Sequence, residues 1–394
     1  MDDETSEGIL IRNARLFAPT GVVDPGWLLT AGEEIRALGP GRPPAFAPAQ
    51  VGREVDADGR RLLPGFIDLH AHGAVGHEVM DADPEGIREI ARFYARHGVT
   101  AFLPTTWTAA RERLMAALAA VEQVIGPAPD GATVLGAYVE GPYLNPEKCG
   151  AQDTRYIRRA DRTEAQAILD TGVVRVLALA PEFEENVWLI EECVRRGVTV
   201  SAAHTTAGFE AMGLAVERGL RQVTHMFNAM VGLGHRRPGT VGAAMAFPEI
   251  NCELIADNVH VHPPVMKILV DVKGPEGVIL ITDAIRGAGM PDGEYAIDER
   301  TVTVRDGAAR LPDGTLAGSI LTMDRALHNV QAATGRPLEA VWPMASLNAA
   351  RAIGVAGRRG SLEVGKAADL VLLDEAYNVA LTVAEGRIVF CEIN

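Results

Sequence analysis

The stretch VRVLALAPEFEENVWLIEECVRRGVTVSAAH (174–204) contains the pattern on which the fold prediction depends. It begins with a short apolar run, continues through a segment of helical periodicity that ends near Gly197, and closes with a second apolar run that leads into His204. Uninterrupted apolar runs are typical of strands buried on both faces of a parallel sheet, and a helix is their usual connection. The stretch therefore predicts a strand, a helix and a second strand with a histidine at its end.

The same alternation continues in both directions along the chain. Amphipathic segments occupy most of the gaps between short apolar runs near residues 65–70, 99–103, 133–139, 174–180, 198–203, 222–226, 253–257 and 277–282. Eight such runs alternating with helices predict an α/β fold, a (β/α)8 TIM-type barrel. Residues 296–315 alternate like a β-hairpin and are expected as an insertion after the eighth strand.

Both ends of the chain contain shorter β-like runs. In residues 8–39 and 366–390, apolar runs alternate with turn residues. Because the two ends of a domain commonly lie close together, we expect these segments to form one small β-sandwich domain. The predicted division is residues 1–60 plus 346–394 for the small domain and 61–345 for the barrel with its hairpin.

The composition excludes several classes of partner. The chain has 37 basic and 52 acidic residues and a net charge of −15, which argues against a nucleic-acid or anionic-membrane partner. No apolar run approaches the roughly 18 residues that span a bilayer, and the start MDDETSEG lacks the features of a signal peptide. Four widely spaced cysteines predict free thiols. Together these features predict a cytoplasmic protein.

Residue types that bind metals follow five of the eight runs. In chain order they are His70 and His72, Glu140, His204, His225 and Asp283. Each histidine alone could be a structural residue, but ionisable groups avoid buried positions unless they are paired or ligated. The active site of this kind of barrel lies at the carboxyl ends of the strands, so the five ends together predict a metal site.

The predicted ligands also indicate a chemistry. Histidine and glutamate ligands favour Zn²⁺, with Fe²⁺, Mn²⁺ and Co²⁺ as alternatives. A metal with an open position lowers the pKa of a bound water and polarises an amide or ester carbonyl. Asp283 is then the natural general acid/base, and its alternatives are a role as ligand only or as a helix N-cap.

With HxH, Glu, His, His and Asp in chain order at five strand ends, the chain resembles the amidohydrolase superfamily. Longer segments resemble the N-acetylglucosamine-6-phosphate deacetylase family within it: LLPGFIDLHAHG (62–73), YVEGPYLNPEKCGAQ (138–152), SAAHTTA (201–207), THMFNAM (224–230), RRPGTVGAA (236–244), ADNVHVHP (256–263), LITDA (280–284) and GTLAGSILTM (314–323). The resemblance extends from about residue 8 to the C-terminus.

The resemblance implies hydrolysis of the N-acetyl amide of a 2-acetamido-2-deoxyhexose 6-phosphate. By matching position, Glu140, His204 and His225 would hold the principal metal, and His70 and His72 leave room for a second ion. The substrate contacts that it implies are Ala151, Gln152, Asn228, Ala229, Arg236, His260, Leu316, Ala317 and Gly318.

The family is typically homodimeric, which would place Arg236 at the neighbouring chain's site. Arginine suits phosphate because its planar fork binds two oxygens. Without the resemblance, a solvated loop residue is as good an interpretation of Arg236 as a phosphate contact.

Two departures from the family pattern leave the substrate open. Gln152 stands where many relatives have a histidine, and Arg286 stands in a loop that is usually small and uncharged. Arg286 is either an extra contact for an anion or an exposed loop residue. The alternatives to the gluco substrate are its galacto epimer and another amidohydrolase reaction, such as a deaminase, dihydropyrimidinase-like or dipeptidase reaction. A non-catalytic scaffold would lack metal-binding residues, and none is missing here.

Overall fold

The structure, a computed structural model, describes residues 8–46 and 50–393. Its central element is a parallel barrel, which confirms the predicted fold class. The eight barrel strands, in chain order, are Phe66–Ala71, Val99–Thr106, Ala137–Glu140, Val174–Leu179, Thr199–Ala202, Gln222–Val223, Asn251–Ile255 and Val278–Ile281. A short strand, Thr133–Val134, also pairs with the second barrel strand.

The barrel strands are parallel to their neighbours and lie in chain order. The first and eighth strands meet at a single bridge between Ala71 and Ala284. There the backbone N–H of Asp283 donates to the carbonyl of His70 at 2.8 Å. This closure brings the ends of the first and eighth strands together, and with them the residues that the sequence places there.

A helix follows each barrel strand. These eight helices are Pro84–Arg96, Arg111–Glu122, Arg162–Asp170, Glu184–Arg195, Phe209–Glu217, Gly239–Ala246, Pro263–Lys273 and Met323–Thr334, and two shorter ones are Leu338–Val341 and Leu347–Ala352. In Glu184–Arg195 the buried residues Asn186, Leu189, Ile190 and Cys193 recur at helical spacing, so one face packs on the barrel. The apolar strand residues and these helix faces share one continuous core.

The two ends of the chain share a second sheet of eight strands. Seven of them are ordered Arg387–Cys391, Val379–Ala384, Leu370–Leu373, Arg61–Pro64, Gly8–Ala18, Gly21–Ala31 and Glu34–Pro40, and Val51–Asp56 also pairs with Gly8–Ala18. Arg61–Pro64 lies just past the predicted boundary at residue 60 and pairs antiparallel with Leu370–Leu373. The division into residues 1–60 plus 346–394 and 61–345 stays a prediction.

A small antiparallel sheet lies between the eighth barrel strand and its helix. Its strands are Gly293–Ile297, Arg300–Arg305 and Ala308–Arg310. Arg300 donates to the carbonyl of Ala151 at 2.6 Å, and Arg113 pairs with Asp298 at 3.1 Å. These contacts hold the sheet against the loops at the carboxyl end of the barrel. A two-stranded ribbon, Gly73–Ala74 with His77–Glu78, follows the first barrel strand.

None of the helices in the described part of the chain is long and apolar enough to cross a membrane.

Candidate metal centre and active site

The six predicted metal and acid/base residues meet at the carboxyl end of the barrel. Their side-chain ligand atoms form two overlapping groups, His70 with His72 and Glu140, and Glu140 with His204 and His225. All of them are buried, and Asp283, at 6% exposed, has the largest exposure of the six. Glu140 belongs to both groups, so one carboxylate joins two pairs of histidines.

The distances show how Glu140 is shared. Its Oε1 lies 3.0 Å from Nε2 of His225 and 3.2 Å from Nε2 of His204. Its Oε2 lies 3.4 Å from Nε2 of His72. Asp283 also approaches the first pair of histidines, with Oδ1 3.2 Å from His72 Nε2 and 3.5 Å from His70 Nε2.

Backbone carbonyls orient two of the imidazoles. His72 Nδ1 lies 3.2 Å from the carbonyl of Thr105, and His204 Nδ1 lies 2.8 Å from the carbonyl of Lys148. Because a carbonyl oxygen only accepts, each Nδ1 carries a proton, and Nε2 is the nitrogen that faces the cluster and can bind a metal. The imidazole of His72 also stacks on Trp107, with ring centroids 3.9 Å apart.

The electrostatics of the cluster favour an ionised carboxylate at Glu140. Burial alone would raise the pKa of Glu140, but the neighbouring imidazoles of His70, His204 and His225 outweigh burial, and this pKa lies well below its usual value. Asp283 behaves in the same way, since His70 and His72 lower its pKa in spite of burial. Anionic oxygens and imidazole nitrogens that converge in a buried site suit a cation, and this donor set fits Zn²⁺ or another borderline divalent ion.

Three of these residues have a left-handed backbone. The φ angles are +43° at His204, +29° at His225 and +50° at Asp283. Residues other than glycine avoid this region at a cost of about 1–3 kcal/mol each, and such strain is concentrated at functional sites. Each strained residue comes two positions after a barrel strand, where the turn redirects its side chain into the cluster.

A cavity of about 350 Å³ opens above the metal centre. Its lining contains Glu140, His204, His225 and Asp283, and so the reacting groups are accessible from one side. Six of the predicted substrate contacts also line it: Ala151, Asn228, Ala229, His260, Leu316 and Gly318. His260 is oriented by Asp257, whose Oδ2 lies 2.7 Å from its Nδ1.

Three predicted substrate contacts lie outside this lining. Ala317 is fully buried beside the loop that lines the cavity. Arg236 is exposed. Gln152 is 3% exposed, and its amide accepts from the backbone N–H of Thr108 at 2.8 Å and donates to Glu140 Oε2 at 2.6 Å. Gln152 therefore holds a metal-site carboxylate in this structure, and the roles of all three toward substrate stay predictions.

Arg286 takes neither of the roles weighed for it from the sequence. It is partly buried and forms ion pairs with Glu78 at 3.2 Å and Asp81 at 2.8 Å. Glu78 is fully enclosed, and burial, only partly offset by Arg286, raises its pKa to about 7. The ion pairs join the loop after the eighth strand to the ribbon after the first.

Sequence reasoning missed Arg310 and Trp107, which also line the cavity. Arg310 ends the small antiparallel sheet and donates from Nη1 to the carbonyl of Gly314 at 3.0 Å. Within the described residues it forms no ion pair, so its positive charge is available to a ligand. The sequence indicated the hairpin, but which of its arginines lines the cavity depends on how the hairpin packs in the folded chain.

The comparisons with known proteins agree with this geometry. The amidohydrolase family matches residues 61–389. An N-acetylglucosamine-6-phosphate deacetylase of Vibrio furnissii is 39% identical to this chain, over 84% of this chain and 83% of the relative's length. An N-acetylgalactosamine-6-phosphate deacetylase of Escherichia coli O157:H7 is 37% identical over 96% of this chain and 98% of its own. Among solved structures, a mutant N-acetyl-D-glucosamine-6-phosphate deacetylase of Mycobacterium smegmatis in complex with N-acetyl-D-glucosamine-6-phosphate superposes with a TM-score of 0.90. It is 31% identical and covers 98% of this chain and 100% of its own.

Proposed function

The chain belongs to the amidohydrolase family, to its N-acetylglucosamine-6-phosphate deacetylases, and from that premise we propose that it hydrolyses the N-acetyl group of N-acetylglucosamine 6-phosphate to give acetate and glucosamine 6-phosphate. The observation that carries the proposal is the position of Glu140, which joins two histidine pairs at the floor of a cavity that Asp283 also lines. A non-catalytic scaffold is disfavoured because all of the reacting groups converge there.

The reaction requires an activated water as the nucleophile and a group that transfers a proton from this water to the leaving amine. A divalent ion held by Glu140, His204 and His225 would supply the polarisation of the amide carbonyl and the acidity of the attacking water. Asp283 accepts a proton from that water while the water oxygen bonds to the carbonyl carbon. When the carbon–nitrogen bond breaks, Asp283 returns the proton to nitrogen, so the products are acetate and the free amine.

We propose zinc as the ion, since two to three imidazoles and one carboxylate are ligands that zinc commonly takes, and Fe²⁺, Mn²⁺ and Co²⁺ are the alternatives. One ion at the Glu140, His204 and His225 group is the minimum. His70 and His72 provide a second group with the same glutamate.

We further propose a homodimer in which Arg236 reaches the cavity of the partner. Arg236 and Arg237 are exposed and, among the residues that the structure describes, take part in no ion pair. Within its own chain Arg236 is absent from the cavity lining, which fits a role across an interface.

We also propose that the enzyme is cytoplasmic. The support is that all four cysteines are free thiols.

The galacto epimer is the second candidate substrate. The support is the relative from Escherichia coli O157:H7, which this chain matches over almost its whole length. The two sugars differ only in the configuration of one hydroxyl group. The cavity offers Asn228, His260 and Thr315 as polar contacts, and none of them selects one epimer on charge.

The test is acetate release by purified protein of known metal content. The substrates are N-acetylglucosamine 6-phosphate, its galacto epimer and unphosphorylated N-acetylglucosamine. We expect a strong preference for a phosphorylated sugar, loss of activity on chelation, and a weaker preference for phosphate in Arg236→Ala. No release from any of the three by metal-loaded protein would refute the proposed function and favour another amidohydrolase reaction.

A further inference from the structure

A buried carboxylate that the proposed chemistry does not use lies behind the metal centre. Glu253 belongs to the seventh barrel strand and is fully buried. Its Oε2 lies 3.1 Å from Nδ1 of His70 and accepts from the backbone N–H of His225 at 3.3 Å. Its Oε1 accepts from the amide of Gln222. Both oxygens therefore have hydrogen-bond donors, which hold the carboxylate in place.

The contact decides which nitrogen of His70 can bind a metal. A carboxylate oxygen only accepts, so His70 Nδ1 carries the proton and Nε2 presents its lone pair. Nε2 lies 3.1 Å from Nε2 of His72 and 3.7 Å from Oε1 of Glu140. His70 is thereby held as a ligand toward the group that it forms with His72 and Glu140.

His70 is unlike the other three histidines of the centre. His72 and His204 donate to neutral backbone carbonyls, and Nδ1 of His225 has no hydrogen-bond partner among the described residues. A carboxylate behind a ligating imidazole raises its basicity and fixes its orientation more strongly than a carbonyl does. The second group therefore contains the histidine with the strongest support from outside the centre.

We propose that Glu253 is a positioning residue: by fixing the orientation and the tautomer of His70, it controls how tightly an ion is held by His70, His72 and Glu140. The inference rests on the metal centre of the proposed function and is independent of the substrate. Glu253 is not itself a ligand, because its contact to the centre is through the imidazole of His70.

The test measures metal content rather than turnover. Purified holoenzyme is dialysed against increasing concentrations of a chelator, and the ions per chain are counted by mass spectrometry of the metal. We expect two ions per chain in the wild type. In Glu253→Gln, which preserves the shape and removes the charge, we expect one ion to leave at a chelator concentration about 10–100-fold lower. The other ion should leave at the same concentration as in the wild type.

A double variant separates positioning from a general structural role. His70→Asn should lose the same ion, and adding Glu253→Gln to it should cause no further loss, because the carboxylate acts through the imidazole. The matched control is Glu164→Gln, which alters another buried glutamate, paired with Arg158 at 2.6 Å outside the cavity. It should retain both ions.

Three results would overturn the inference: a wild type that holds one ion, a Glu253→Gln protein with the metal content of the wild type at every chelator concentration, or additive losses in the double variant. Folding of each variant is checked by circular dichroism. If Glu253→Gln does not fold, Glu253→Asp retracts the carboxylate from His70 and should show the same selective loss. Acetate release by the wild type tests the proposed function separately, because the number of ions per chain can be measured whether or not the protein releases acetate.

Discussion

Replacing Asp283 by asparagine should remove most of the turnover and leave the metal centre loaded. Asparagine has the same shape and keeps an oxygen where Oδ1 now lies, 3.2 Å from His72 Nε2 and 3.5 Å from His70 Nε2. It cannot accept the proton of the attacking water or return it to the amine. Because Glu140, His204 and His225 are unchanged, the principal ion should stay bound.

The magnitude follows from the lost proton transfer. A positioned general acid/base contributes about 10²–10⁴-fold to rate, so we expect kcat to fall by that factor. At about 1.36 kcal/mol for each factor of ten, the loss is about 2.7–5.4 kcal/mol of transition-state stabilisation. Asp283 lines the cavity beside the metal residues, and because its role is to carry the reacting proton, KM should change less than kcat.

The assay is acetate release over a range of substrate concentrations, with metal content measured on the same sample. Asp324→Asn is a suitable control, because this aspartate is buried and pairs with His97 at 3.3 Å outside the cavity. It should keep kcat near the wild-type value. A metal-loaded Asp283→Asn protein with kcat within about tenfold of the wild type would refute the role given to Asp283.

Three further predictions concern substrate binding, metal and stability. Arg310→Gln should raise KM for the phosphorylated sugar about tenfold, because a hydrogen bond to a charged group contributes about 1.5 kcal/mol or more. KM for the unphosphorylated sugar should not change, and an equal rise in KM for both sugars would exclude a phosphate contact. Chelation should lower the free energy of unfolding by about 2.7 kcal/mol relative to protein in a free metal concentration 100 times the Kd, as measured in urea, and no change would argue against a resident ion. Arg359→Met should destabilise the fold by about 3–5 kcal/mol, because Arg359 is 3% exposed and pairs with the buried Asp369 and Glu385; a urea midpoint equal to that of the wild type would show that the network is dispensable.

Much of the barrel and its reacting residues could be predicted because both depend on local order. Strand periodicity and the position of His204 or Asp283 just after an apolar run are visible in the sequence, and the parallel barrel brings strand ends to one side. The three strained backbones show why the prediction works, since the turn that follows each strand points the side chain inward.

The groups behind and above the centre could not be predicted in the same way. The contacts of Gln152 with Glu140 and of Arg286 with Glu78 depend on loops that meet only in the folded chain. Glu253 did leave a signal: it is a lone charged residue inside the apolar run NCELIA (251–256), where a buried ionisable group needs a partner. The identity of that partner, His70, requires the tertiary structure.

The pairing of Arg61–Pro64 with Leu370–Leu373 has a consequence for the order in which the protein can form during synthesis. The ribosome completes the first of these strands about 300 residues before the second, and at roughly 5–20 residues per second that interval is about 15–60 s. Throughout it, one edge of the amino-terminal sheet has unpaired backbone groups, which invite association with other chains. Newly made chains should therefore be most prone to aggregate after the barrel is made and before the last 25 or so residues emerge.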